Sequence, residues 1–504
     1  MEKVKLFIDK SYKIIATIAI LFALIFINYY HLFTESILAS FKYILFIIVV
    51  LAILILFNKF IIDKLTGKRI TVFIIAFTTI FLGLEIFSVY YFKVKYNWDF
   101  KWLMDTALEL STIGESQNMY YFKIFPNNIG ALIIVTSIMK LFKGSEMAAY
   151  ILNIISVFLG VVFAVLSARK IGGNKLALNT ILLLVLTAPL YLYTPIIYTD
   201  TLSVAFPVIT LYFWLLMKEN KDVSKKKYYL SLVCMVVASS VGFFIKPVAA
   251  IVLVAIIIDS IFANKKMIKD ILLIIVLFMV LIMSYNKLTA KYVLQDERKN
   301  DFEFPTTHWI MMGLGKPESE GGTAIGYGSY SQKDADYTAT SGNYEEKKEA
   351  NVREIKERLR NYGLKGYLHF LYKKCEYIWN DGTYYCLKLI GWDTLNTTST
   401  PYKYVLGEKS DYTEKFMTYM NNALFILIVT GFFIDIKKKK DNQISRILGI
   451  SIVGIALFLM LWEARSRYIY FLIPVFCILG AMGLTNISNI TKNKNQTNLI
   501  KERN

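Results

Sequence analysis

The sequence predicts an α-helical polytopic membrane protein with about twelve transmembrane helices, and three observations carry that reading. Of its 504 residues, 56% are hydrophobic. They gather into apolar runs of roughly 15 to 22 residues, the length a helix needs to cross a hydrocarbon core about 30 Å thick. The formal charge of +19 lies outside one long polar insert: residues 289–417 hold 18 Lys and Arg against 19 Asp and Glu, leaving 39 against 19 elsewhere. In a soluble chain such an excess would suggest nucleic acid. In short loops between apolar runs it reports orientation instead, because cytoplasmic loops are rich in Lys and Arg.

The first run, Ile14 to Tyr30, follows Lys3, Lys5, Lys10 and Lys13 as a signal peptide would. No small-x-small cleavage site comes after it, so it reads as a retained span. The expected spans are 13–30, 42–58, 70–92, 148–168, 176–193, 201–217, 228–245, 247–263, 268–287, 417–435, 445–463 and 468–486. Basic clusters stand at both termini and at Lys59 to Arg69, Arg169 to Lys175, Lys218 to Lys227, Lys265 to Lys269 and Lys437 to Lys440. All of them fall on the cytoplasmic side only if one apolar run fails to cross. Ile129 to Met139 is the run that fails: it is short, it follows Pro126-Asn127-Asn128, and it ends before Lys140 and Lys143, as suits a helix lying in the membrane interface. Both termini are then expected in the cytoplasm, in a multi-pass protein of the cell membrane. The chain divides into a two-span extension (1–69), a core of spans (70–288), an extracytoplasmic insert (289–417) and the spans that complete the core (418–504).

The insert contains "GGTAIGYGSYSQKDADY", followed by helical periodicity across "NYEEKKEANVREIKERLRNYG" and "GLKGYLHFLYKKCEYIW". No Gly-Lys-Ser/Thr follows the glycines, which argues against a nucleotide loop. Trp309, Tyr327, Tyr330, Tyr337, Tyr344 and Trp379 can stack on sugar rings or simply pack. Cys234 and Cys477 lie in spans. Cys375 and Cys386 share the insert, and their spacing alone does not decide whether they pair.

With orientation set, a short series of charged residues falls at the external surface: Asp99 and Asp105 after the third span, Asp200 in "IIYTDTL", Lys246 in "FFIKPVAA", and Arg465 and Arg467 in "WEARSRYIYFLIP". Each has a plain structural reading, as a helix cap, a solvated residue or a headgroup anchor. Glu85, near the outer end of its span, either lines the same cavity or snorkels. Charges at this depth are costly unless paired or facing a wet cavity, so their concentration at one surface marks a site. Nucleotide sugars are not available outside the membrane, and a polyprenyl-phosphate sugar is a donor that is. Its phosphate leaves as an anion, which cations stabilise, and one carboxylate suffices as base on the incoming hydroxyl. The result is a single displacement with inversion.

The stretch from "NWDFKWLMDTA" through "YYFKIFPNNIGALIIVTSIMKLFKGSEMAAY" to "PIIYTDTL", together with "EARSRYIYFLIP", resembles the catalytic core of GT-C-fold glycosyltransferases, which include protein O-mannosyltransferases and aminoarabinose transferases. The resemblance implies that Asp99 is the catalytic aspartate. It sets Asp200, with Asp105, near the donor or a metal, and makes Lys246, Arg467 and Arg465 contacts of the lipid phosphate. Asn128, Tyr198 and Glu85 would line the cavity. Some relatives bind a divalent metal between the two acidic loops; Asp99 and Asp200 would be the oxygen ligands for Mg²⁺ or Mn²⁺ here. The implied partners are a polyprenyl-phosphate-linked sugar and an extracytoplasmic glycan, lipid or protein acceptor, with no nucleic acid. Two departures stand out: Asn127-Asn128 replaces the usual proline pair, and two extra spans precede the acidic loop. Two rivals remain at this stage. A flippase for lipid-linked glycans would place charges deep within several helices; a non-catalytic scaffold would make no use of Asp99.

Overall fold

The computed structural model describes residues 7, 10–18, 37–263, 267–294, 301–318, 324–438 and 442–501. Most of the first expected span, 13–30, lies outside the described residues. Among the described residues nine helices are long and apolar enough to cross a membrane: Ser40–Lys64, Lys68–Tyr91, Glu146–Leu186, Thr199–Asn220, Lys225–Ile245, Ile268–Tyr292, Ser410–Lys437, Gln443–Leu461 and Ser466–Asn489. A shorter apolar helix, Pro247–Phe262, adds to them. The protein is a polytopic α-helical membrane protein, and its described residues hold only an isolated β-bridge, between Val94 and Thr394.

Glu146–Leu186 is two helices in hairpin rather than one rod. The Asn153 side-chain amide donates to the carbonyls of Thr194 at 2.7 Å and Ile196 at 3.0 Å. A straight helix would separate residue 153 from residue 194 by about 60 Å at 1.5 Å per residue, so the chain must reverse between them. It does so at Gly172 and Gly173, which leave helical geometry; Gly173 has φ 75° and ψ −169°, a conformation open essentially to glycine. Dividing this helix at the glycines and adding Pro247–Phe262 gives eleven helical segments among the described residues, at the places of the expected spans from 42–58 onward, of which the segment from 174 to 186 and Pro247–Phe262 are shorter than a full crossing.

Ile129–Leu141 has 13 residues, about 20 Å of helix, which is too short to cross. Its apolar side is buried through Ile129, Ala131, Leu132, Val135 and Met139 against neighbouring helices. Gly130 permits its closest approach: a Cβ there would stand 1.9 Å from the Phe244 carbonyl oxygen at the end of Lys225–Ile245.

In the insert, Tyr344–Trp379 is one helical run broken at Gly363, φ 56°, where the two periodic segments of the sequence meet. Asn343 and Glu346 close its start as a capping box. The insert grips the turn between Gln443–Leu461 and the last helix at several points. The buried Lys374 ammonium donates to the carbonyls of Gly313 (2.6 Å), Met460 (3.1 Å) and Trp462 (2.6 Å), which uses all three of its protons. The Ala464 N–H donates to the Gly328 carbonyl at 2.7 Å. Ser466 Oγ donates to Asp381 at 2.6 Å. Gly328 has φ +72° and is packed at this contact, and a Cβ on Gly313 would meet the Trp462 backbone at 2.6 Å; Gly321 and Gly322 lie outside the described residues. Cys375 and Cys386 are free thiols, both buried.

Overpacking at a tight helix contact costs about 1–3 kcal/mol. Gly130→Ala is therefore expected to lower the thermal unfolding temperature of the detergent-solubilised protein by several degrees. Gly83→Ala, where a Cβ meets nothing within 4 Å, serves as the control and leaves it unchanged or raised.

Candidate functional site

Asp99 lies in the first turn of Trp98–Thr112, where a carboxylate is favoured by the helix dipole. It is 37% exposed, and its Oδ2 stands 3.7 Å from a guanidinium nitrogen of Arg467, which is 12% exposed. That separation is an ionic contact and longer than a hydrogen bond. The guanidinium is enclosed by three aromatic rings, with its carbon 5.0 Å from the centroid of Trp98, 5.6 Å from Tyr198 and 5.3 Å from Tyr468. Such a cage holds a cation while keeping water away from it.

The second pair is more deeply buried. Asp200, in the short helix Thr199–Ser203, is 1% exposed and bonded through Oδ1 to the Lys246 ammonium, itself 12% exposed. Lys246 is the break between Lys225–Ile245 and the turn that opens at Pro247, and its extended backbone (φ −152°) turns the side chain out of the helical path. Burial pushes its pKa down, and the Asp200 charge opposes that shift. The two pairs form one cluster: Tyr468 lies against both cations, 5.1 Å from Lys246 Nζ and 5.3 Å from the Arg467 carbon.

Around this core stand residues the sequence reading named and others it missed. Tyr198 packs edge-on to Trp98 at 5.0 Å, and its hydroxyl lies 3.5 Å from that of Tyr121. Buried Asn128 donates to the Tyr121 hydroxyl at 2.8 Å, and Trp102 stacks on the Tyr121 ring. Burial and then the Asp99 charge push the pKa of both Tyr121 and Tyr198 well up, so both hydroxyls keep their protons. Arg465 stacks over Tyr385 at 4.6 Å. Asp105 is drawn to Lys101, one turn back on a solvated face, at 2.6 Å. Glu85 is fully buried with both carboxylate oxygens unpartnered among the described residues; Tyr470 interacts electrostatically with it and with Asp200.

Trp98, Tyr121 and Tyr468 escaped notice because aromatics make up 15% of the chain, so one more carries no signal. Glu463, buried and acting on Arg465 and Arg467, stood in the quoted "WEARSR" and could have been found there. From the insert, Tyr330 reaches the electrostatic range of Asp99, Glu463 and Arg465.

An apolar cavity of about 510 Å³ is lined among others by Gly130, Ile134, Val241, Phe244 and Tyr285. Gly130 is two residues from Asn128 in the chain and Phe244 two from Lys246. A metal shared by Asp99 and Asp200 does not suit these residues, because each carboxylate faces a cation. Among the described residues no group of three or more His, Cys, Asp or Glu side chains is placed to hold an ion.

A family model described as "Conserved hypothetical integral membrane protein" matches residues 1–487. No curated protein sequence matches the chain. Among solved structures the chain is similar to ArnT from Cupriavidus metallidurans in the apo state, at 13% identity over 82% of this chain and 78% of that one, with a TM-score of 0.38. It is similar to the same protein bound to undecaprenyl phosphate, at 11% identity over 83% and 78%, TM-score 0.38. A third is the archaeal oligosaccharyltransferase AglB from Archaeoglobus fulgidus, in complex with an inhibitory peptide and a dolichol-phosphate, at 10% identity over 86% and 52%, TM-score 0.40.

Removing one partner of a buried ion pair strands the other charge, at a cost of about 3 kcal/mol or more, whereas replacing both by apolar groups costs far less. Lys246→Met and Asp200→Leu are each expected to depress the unfolding temperature strongly, and the double variant to recover much of the loss. Additive losses in thermal unfolding would show that the two side chains are not paired.

Proposed function

The chain belongs to the conserved hypothetical integral membrane protein family, and we propose that within the membrane it acts as a glycosyltransferase, moving a sugar from a polyprenyl-phosphate donor to an extracytoplasmic acceptor with inversion. One observation carries the reading. Segments distant in sequence bring the Asp99–Arg467 and Asp200–Lys246 pairs to a single place, joined by Tyr468, while Gly130 and Phe244 of an apolar cavity lie two residues along the chain from Asn128 and Lys246. A ligand with an anionic head and a long hydrocarbon tail matches that combination. A soluble nucleotide would have no use for the cavity, and a simple lipid anchor no use for the carboxylate.

In the proposed reaction Asp99 accepts the proton of the acceptor hydroxyl while the hydroxyl oxygen forms its bond to the anomeric carbon. The bond from that carbon to the phosphate oxygen breaks, and its electron pair leaves with the polyprenyl phosphate. Lys246 and Arg467 face the charge that grows there, which is where fixed cations lower a barrier most. The carboxylate is half-exposed, as a base that must meet an incoming acceptor needs to be, while the cations are sheltered. The loose 3.7 Å contact leaves Arg467 free to turn to a phosphate oxygen and release Asp99. The acceptor is a cell-envelope glycan, lipid or protein.

Loss of a general base lowers turnover by roughly 10²–10⁴. Asp99→Asn is expected to abolish detectable transfer while retaining binding of the lipid-phosphate donor, read out by comparing envelope glycans and glycoproteins of cells with the wild-type protein, the variant or neither. Identical glycans in all three, with expression verified, would refute the assignment.

A further inference from the structure

The cluster contains two hydrogen-bond donors that have no acceptor among the described residues. Arg467 Nε and the Trp98 indole Nε1 are both buried and unpartnered. They belong to groups in direct contact, the guanidinium carbon lying 5.0 Å from the Trp98 ring centroid. A buried N–H left without an acceptor costs about 1–3 kcal/mol, and native proteins rarely leave two side by side. Asp200 Oδ2, an unpartnered acceptor of the same cluster, bonds neither of them, so the two donors call for an acceptor that arrives from outside. An anionic oxygen is the one that rewards them most, since hydrogen bonds to an ionised acceptor are roughly twice as strong as neutral ones.

A separate feature marks the same residue. Trp98 has φ 41°, left-handed backbone that a bulky side chain adopts at a cost of about 1–3 kcal/mol, and such strain persists where the surroundings enforce it. At this position it sets the indole against Arg467 and Tyr198, in the residue immediately before Asp99.

We propose that Trp98 Nε1–H and Arg467 Nε–H together form an oxyanion subsite, and that the oxygen they bind is a non-bridging phosphate oxygen of the lipid donor. This deepens the reading given under Proposed function and rests on it. Trp98 is thereby a binding residue of the site, supplying an uncharged donor on the side of the phosphate next to the base. Because that donor is neutral, it adds a bond to the phosphate without adding to the charge around Asp99.

The test uses the purified full-length protein and three probes: undecaprenyl phosphate, undecaprenol, which lacks the phosphate, and inorganic phosphate as competitor. Trp98→Phe keeps an aromatic ring against Arg467 but removes the N–H together with part of the indole surface, a packing loss that the undecaprenol arm reads separately. It is expected to weaken undecaprenyl phosphate binding about tenfold, with undecaprenol binding unchanged. Inorganic phosphate at millimolar concentration is expected to displace the lipid phosphate poorly from either protein. Unchanged lipid phosphate affinity in Trp98→Phe, or an equal loss for the phosphate and the alcohol, overturns the proposal, the second by showing that the ring only packs. Ready displacement by inorganic phosphate overturns the assignment to a lipid. Arg467→Gln separates the two levels: if it weakens phosphate binding while Trp98→Phe does not, the subsite alone fails; if neither variant matters, the donor site fails with it.

Discussion

A carboxylate and an ammonium held together away from water, Asp200 and Lys246, are the interaction around which the rest of this bundle end is organised. Neither charge could be buried alone beside apolar helices, because an isolated ion there costs several kcal/mol. Their meeting requires the short Thr199–Ser203 helix to present its first turn to the break after Ile245. Asn153 supports that geometry by fastening the carbonyls of Thr194 and Ile196 just before the helix. Arg467 then comes to lie against the rings of Tyr198 and Tyr468, and Asp99 takes the remaining, more open place.

The turn from Trp462 to Arg467 is irregular, and left to itself it would have no reason to keep its arginines in place. The insert supplies the reason. Lys374, Gly328 and Asp381 bind the chain at every second residue from Met460 to Ser466, and Trp309 stacks on Trp462 at 6.2 Å. The Asp381 carboxylate is itself held by the Thr383 and Tyr385 N–H groups, at 2.9 and 2.8 Å, in a turn where Tyr384 and Tyr385 both adopt positive φ. The insert is thus a brace for a charged turn, and at Gly313 and Gly328 its backbone meets the backbone of that turn.

The spans were legible because apolar length and loop charge are cumulative signals, and a single exception, the Ile129–Leu141 helix, was forced by alternation of the basic loops. The break at Gly363 was legible as a seam between two periodic segments. Asp99, Asp200, Lys246 and Arg467 were legible as a group because charges beside apolar runs are few. Their pairing was not, since which acid meets which cation depends on how four distant segments pack. Asp105 illustrates the gap: by sequence it sits one and a half turns past Asp99, but helix geometry turns it toward Lys101. Asp381 lies in a polar stretch where an acid is ordinary, and only its partners set it apart, whereas Glu463 stands directly after an apolar run, beside the two arginines already singled out.

The central claim is that this cluster receives the phosphate of a lipid-linked donor, and the most direct measurement is an experimental structure of the full chain with undecaprenyl phosphate bound. The account predicts the phosphate between Lys246 and Arg467, with Asp99 released from the guanidinium and the first isoprene units in the cavity beside Phe244 and Gly130. A phosphate bound elsewhere on the chain, with the two ion pairs undisturbed, would contradict it.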